Sequence, residues 1–183
     1  VYEISLSGSI PKALVGSDDA GALAFDWSVD GTTLYFNRPA PAPCGFQLWR
    51  RLGDGTEEFI KDCLLRPEFG ENGRIFVFGP GMDIYSADGN GDDLRLELPL
   101  MSAGFCTDHN SGWTVWQNRI VYLDCRDTTL RISEDNNSEG RLLYDIIDFN
   151  LQTEEPQLSV SPDGQWVSVS KLDRTGSDVQ LFE

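Results

Sequence analysis

A hairpin that recurs at a fixed spacing constrains this chain more than any other feature. Its clearest copy runs from Leu158 to Ser170. Leu158 and Val160 alternate with serines, Ser161-Pro162-Asp163-Gly164 breaks the run, and Trp166, Val167 and Val169 resume it. Proline presets φ for the turn, Asp163 can bond its own backbone, and Gly164 tolerates positive φ. A second copy has Trp27-Ser28-Val29-Asp30-Gly31 ahead of Leu34-Tyr35-Phe36. The second strands of successive units begin near Leu34, Ile75, Ile120 and Trp166, spaced by 41, 45 and 46 residues. A period of 40–45 residues with four strands per unit is the signature of a β-propeller blade.

The rest of the chain follows this rhythm. Extended runs are expected at 23–27, 34–37, 46–50 and 57–61, then at 64–69, 74–78, 82–86 and 94–98. A third set falls at 112–116, 119–123, 128–132 and 141–145, and a fourth at 157–161, 165–170 and 178–182. No segment longer than about ten residues keeps a helical period. Residues 140–150 have some helical look, but their β-branched content and their place in the repeat favour a strand. The expected fold is all-β: one propeller domain over 1–183, with blade-like units at 22–61, 62–99, 104–148 and 155–183. The fourth unit has three strands. An unpaired sheet edge seeks a partner, so the strand Val1–Leu6 is expected to complete that blade, from the same molecule or from a neighbour. Between molecules, such an exchange would build a head-to-tail filament.

The motif Ser161-Pro162-Asp163-Gly164, with Trp166 to Val169 and then Asp178-Val179-Gln180-Leu181, resembles the propeller repeat of TolB-like proteins. So does Asp83-Ile84-Tyr85-Ser86-Ala87-Asp88-Gly89, which matches the outer hairpin of that repeat. The resemblance implies blades and carries no activity with it. Propellers of that family usually have six blades, against the four units counted here.

Charge and cysteines bound the setting. The formal charge is −16, which repels nucleic acid and anionic membrane and favours cations. No apolar run is long enough for a membrane-spanning helix, so neither nucleic acid nor membrane insertion is expected. Val1 in place of a methionine fits either a trimmed chain, the plainer reading, or a mature secreted chain. Cys44 and Cys63 are 19 residues apart, as are Cys106 and Cys125, and there is one histidine, His109. That pattern disfavours zinc. Local pairs Cys44–Cys63 and Cys106–Cys125 are the favoured arrangement of the three possible. Two disulfides imply an oxidising compartment, extracellular or periplasmic.

Candidate sites are few. Asp88, Asn90 and Asp92 place oxygens at alternate positions of a glycine-containing loop, a spacing that suits calcium. The bland reading is an ordinary Asp/Gly hairpin turn, and it is the favoured one. His109, beside Asp108 and Ser111 and in the same unit as Asp124 and Asp127, is the one place for a general base. No Gly-x-Ser-x-Gly accompanies it, which argues against a hydrolytic triad. Trp113 and Trp116, near His109, are candidates for stacking on sugar, against the plainer role of packing between blades. Asn136-Asn137-Ser138 is an N-glycosylation sequon. The function expected is that of a non-catalytic, secreted structural or protein-interaction module, with itself as a possible partner. A carbohydrate-binding or carbohydrate-active propeller is the alternative.

Overall fold

The computed structural model describes residues 2–3, 12–13, 24–99, 112–124, 126–134, 137–146, 158–173 and 176–182. A two-stranded hairpin pairs β1 (Tyr2–Glu3) with β2 (Lys12–Ala13). Four larger antiparallel sheets follow. The first contains β3 (Phe25–Trp27), β4 (Leu34–Pro39), β5 (Phe46–Arg51) and β6 (Glu57–Asp62). The second contains β7 (Leu65–Phe69), β8 (Ile75–Phe78), β9 (Ile84–Ala87) and β10 (Arg95–Leu98). β11 (Trp113–Trp116), β12 (Arg119–Asp124), β13 (Thr129–Glu134) and β14 (Asn137–Asp145) make the third. The fourth has β15 (Leu158–Val160), β16 (Val167–Asp173) and β17 (Gly176–Phe182). Each is a meander in chain order, and one short 3-10 turn, Pro80–Met82, is the sole helical element among the described residues.

The turn chemistry explains why the repeat is so regular. Asp30 Oδ1 accepts from Ser28 Oγ at 2.7 Å and from the Thr32 N–H at 3.0 Å. Asp163 Oδ1 accepts from Ser161 Oγ at 2.6 Å and from the Gln165 N–H at 3.1 Å. In both hairpins the serine hydroxyl also receives a backbone N–H five residues on, from Thr33 and from Trp166. The same local bonds therefore set the register of two strand pairs far apart in sequence. These bonds hold the Asp30 and Asp163 carboxyls below their ordinary 3.8, the bond from Ser28 or Ser161 contributing most.

The sheets stack in order. Tyr35 and Leu48 of the first pack on Ile75 and Val77 of the second, with Leu64 between them. Phe76 and Phe78, on the opposite face of β8, meet Trp113, Ile120 and Tyr122 of the third sheet. Val121, Leu123, Leu130 and Ile132 meet Leu158 and Val169 of the fourth. Strand alternation thus gives each middle sheet two apolar faces, one for its predecessor and one for its successor. Among the described residues the array is open, and the four sheets do not close into a ring.

Closure of the fourth blade by the N-terminal strand of the same molecule is corrected at Tyr2–Glu3, the described part of that strand. Tyr2 and Glu3 pair with Ala13 and Lys12, apart from the three-stranded sheet β15-β16-β17. Pairing with a segment so near in sequence closes a far shorter loop than pairing with residues near 180, so it costs less chain entropy. Of the four expected cysteines, Cys44 and Cys63 form a disulfide with Cα atoms 5.3 Å apart. It ties the ends of β5 and β6, where the Cys63 N–H also donates to the Phe46 carbonyl at 3.2 Å. Cys106 and Cys125 lie outside the described residues.

Candidate functional site

The innermost strands β3, β7 and β11 stand side by side, and two acidic side chains join them. Asp26 of β3 accepts the Phe69 N–H of β7 on Oδ2 at 3.0 Å. Glu68 of β7 accepts the Val115 N–H of β11 on Oε2 at 2.9 Å. Each carboxylate therefore satisfies a backbone donor on the edge of the next sheet, a donor that would otherwise be costly to bury. Arg66 completes the cluster. Its guanidinium pairs with Glu68 at 3.0 Å, donates to the Trp113 carbonyl at 2.8 Å and lies over the Trp113 ring at 5.1 Å.

Asn37 anchors the other side of this junction. It is fully buried. Its Nδ2 donates to the Leu64 carbonyl at 2.7 Å and the Gln47 carbonyl at 3.1 Å, and its Oδ1 accepts the Arg66 N–H at 2.6 Å. Arg66 and Cys63 both sit at positive φ, 55 and 64. Asn37 thus fixes the irregular corner where the chain leaves the first sheet for the second.

Burial raises the Glu68 carboxyl above its ordinary 4.5, outweighing the Arg66 charge that favours ionisation, and Asp26 adds repulsion of like sign. Burial also raises Asp26 above its ordinary 3.8, against the stabilising bond from Phe69. Both groups bind a proton more tightly in the folded chain than in the unfolded one. Their unfavourable contribution is present in full above the raised values, and stability is gained as pH falls through those values towards 4.5 and 3.8. Asp30, Asp54, Asp93 and Asp163 are shifted the other way, so what they contribute is lost only as pH falls below their ordinary 3.8. Stability is expected to peak in mildly acidic solution. Glu68→Gln keeps a carbonyl acceptor for Val115 and removes the proton. Denaturant midpoints measured against pH should rise less steeply for this variant as pH is lowered towards 4.5. Equal slopes would show that Glu68 does not titrate in that window.

A second feature is the outer face of the first sheet. Phe25 pairs with Phe36, Phe36 with Trp49, and Trp49 with Phe59, so one aromatic row crosses all four strands. Arg38 roofs its centre, 5.1 Å from the Phe36 ring and 4.9 Å from Trp49, and is held by Glu57 at 2.6 Å. The flanks are open: Phe25 is 53% exposed, Phe59 48%, and Trp27, beside the row, 40%. The face offers apolar area and cation–π capacity, which serve binding.

The residues singled out from sequence fall elsewhere. Asp88 Oδ1 accepts the N–H groups of Asn90 and Asp92, both at 2.9 Å, as a hairpin turn requires. Asn90 Oδ1 accepts from Arg50 at 3.1 Å, and Asp92 Oδ1 from Lys61 at 3.2 Å. Among the described residues no group of three or more histidine, cysteine or acidic side chains is placed to hold a metal. Trp113 is fully buried, its ring edge-on to Phe78 at 5.3 Å, which leaves no face for a sugar. Trp116 is half-buried and donates from Nε1 to the Pro162 carbonyl at 3.5 Å. Asp124 is buried and pairs with Arg126 at 2.7 Å, and Asp127 pairs with Arg131 at 2.7 Å, so neither carboxylate stands unpaired. His109 and Asn136 lie outside the described residues.

Reading residues alone missed Asp26, Glu68, Asn37 and the aromatic row. A signal for the two carboxylates exists: an acid, then an aromatic, then the turn, as in Asp26-Trp27-Ser28 and Glu68-Phe69-Gly70.

Comparison with known proteins places the fold. TolB from Acinetobacter baumannii superposes with a TM-score of 0.72 at 15% identity, over 100% of this chain and 45% of that one. A protein assigned as a gluconolactonase superposes with a TM-score of 0.55 at 13% identity, over 98% of this chain and 67% of that one. The architecture is therefore that of TolB-like β-propellers, and the chain spans under half the length of the TolB chain it matches. No protein-family model matches the sequence, and no curated protein matches it.

Proposed function

We propose that this chain is a non-catalytic β-propeller module that works by binding protein on its exposed sheet surface, in an extracellular or periplasmic setting. The observation that carries the reading is the aromatic outer face of the first sheet, with Phe25, Trp27 and Phe59 open to solvent. Singly exposed apolar residues are ordinary, whereas Phe25, Trp27 and Phe59 flank one aromatic row whose centre, Phe36, is buried, and clustered exposed aromatics mark an interaction surface. The buried carboxylates support the same reading, since Asp26 and Glu68 are consumed in joining sheets. The Cys44–Cys63 disulfide supports the oxidising compartment. Self-assembly through pairing of residues 1–6 with a second copy stays part of the proposal, since β1 pairs with β2 along one edge and, among the described residues, keeps its other edge. Calcium is left out of the proposal, because an ion at Asp88, Asn90 and Asp92 would have to displace the contacts from Arg50 and Lys61. A sugar ligand on Trp113 is left out because that side chain is buried.

Hydroxyl-radical footprinting of the dilute protein tests the surface. Strong oxidation at Phe25, Trp27 and Phe59 is the expected result. Protection of all three at high dilution would mean that the molecule covers this face itself, and the interaction reading would fall.

A further inference from the structure

We infer that the free edge of the third sheet pairs with the same edge of a second copy of this chain across a two-fold axis. The contact is separate from the aromatic face of the first sheet and from residues 1–6. β14 is the outermost strand of the third sheet, and among the described residues no strand pairs with its outer side. A bare row of backbone N–H and C=O groups is a template for another strand, and chains blunt it with charged side chains or proline. The outermost strands of the first two sheets follow that rule. Glu57, Glu58, Lys61 and Asp62 fill four of the six places of β6, and Arg95 and Glu97 two of the four of β10. The last five residues of β14 do not. Leu142, Leu143 and Tyr144 stand in a row there, 47%, 36% and 46% exposed, with neither lysine nor proline in the strand.

The edge is complementary to itself. Arg141 stands opposite Ile132 and Tyr144 opposite Leu130, and both of those β13 residues point towards the fourth sheet. Arg141 and Tyr144 therefore share one face. Leu142 lies opposite Arg131 on the other face, and Leu143 is the residue inserted at the register slip beside it. A two-fold axis perpendicular to the sheet keeps each face on its own side. Passed between Leu142 and Leu143, it sets Leu142 against Leu143 of the second copy, and Arg141 against Tyr144 of the second copy, each pair occurring twice. Apolar cross-strand pairs stabilise a sheet, and a guanidinium over a phenol ring adds to them. No like charges face each other in these pairs. The same operation at the middle of β6 would set Glu57 against Asp62, which repel. A two-fold contact also closes: both edges are used up and none is left to propagate.

The test is sedimentation velocity on the purified 183-residue chain between about 1 and 300 µM, since a contact made by one strand edge belongs to the small, weak class of interfaces. Salt at about 0.15 M screens the charge of −16 on each copy. A monomer–dimer equilibrium is expected. Leu142→Lys combined with Leu143→Lys puts like charges opposite each other and should weaken the dimer at least about tenfold. Leu142→Glu combined with Leu143→Glu should do the same. Mixed one to one, the two variants should dimerise with each other, because lysine then meets glutamate. Hydrogen exchange on the wild type needs no substitution: amides within 141–145 should slow as concentration rises. A wild-type chain that stays monomeric throughout would overturn the inference and leave the edge to a different protein. So would variants that associate as the wild type does, a mixture that stays monomeric, or exchange at 141–145 that is unchanged by association. None of these outcomes touches the aromatic face, which the footprint of the dilute protein reads separately.

Discussion

Replacing Asn37 by alanine is expected to lower the melting temperature by about 10 °C, with no change in the disulfide or in the sheet content seen by circular dichroism. The side chain is fully buried and makes three hydrogen bonds, to the Leu64 carbonyl, the Gln47 carbonyl and the Arg66 N–H. Alanine leaves those groups unsatisfied where water does not reach easily, at about 1–3 kcal/mol each. Carbonyls tolerate this better than N–H groups, and Gln47 sits in a partly buried place, so a total of about 3–5 kcal/mol is reasonable. For a domain of this size, 1 kcal/mol corresponds to roughly 2–4 °C. Asn37→Asp sharpens the test. It has nearly the same shape, but at neutral pH it points a buried charge at two carbonyls, so it should be at least as damaging. Protonation restores one donor, so Asn37→Asp should recover part of the loss in acid and Asn37→Ala should not. If alanine shifts the melt by less than about 2 °C, the bonds at this corner are not what holds the first two sheets together.

The second large effect is expected at Gly164, in the turn between β15 and β16. Its φ is +69, a conformation that costs a side-chain-bearing residue about 1–2 kcal/mol. A Cβ added there would run into Cζ2 of Trp116, far inside contact distance. The indole must therefore move, which disturbs its 3.5 Å contact with the Pro162 carbonyl and its packing on the core between the third and fourth sheets. Gly164→Ala is expected to cost about 2–4 kcal/mol in urea unfolding, at the upper end of the overpacking range. Gly31 makes the internal control. It occupies the equivalent turn of the first sheet at φ +69, and a methyl group added there would meet nothing within 4 Å. Gly31→Ala should carry the conformational cost alone. Equal losses at the two glycines would mean that Trp116 yields freely.

The architecture is legible from residues because it is written in turns. Ser28–Gly31 and Ser161–Gly164 carry the same side-chain bonds as they do the same letters, and the spacing between units does the rest. The junctions between sheets are harder to read. Asp26 and Glu68 look like the solvated positions of a strand, and their burial depends on a neighbouring sheet more than forty residues on, as the bonds to Phe69 and Val115 show. Trp113 illustrates the same limit in reverse. Its letters suggest a platform for a ligand, and packing on Phe78 makes it core. The pairing of Tyr2–Glu3 is not legible, because an edge invites a partner without specifying which. The aromatic row of the first sheet is hidden in the sequence, since its members come from four separate strands and meet only once the register is set.

The inter-sheet carboxylates also bear on how the molecule comes apart. They link first to second and second to third, each bridge spanning a single step. At the next step β11 offers Val115-Trp116 where the earlier strands have an acid before the aromatic, and the third and fourth sheets are joined by the apolar contacts of Val121, Leu123, Leu130 and Ile132 with Leu158 and Val169 and by Trp116 reaching Pro162. Such an array behaves as a row of units coupled to their nearest neighbours, in which cooperativity is only as strong as the weakest coupling. Without such a carboxylate at the third step, amide exchange is expected to be faster across the junction of the third and fourth sheets than across the first two junctions.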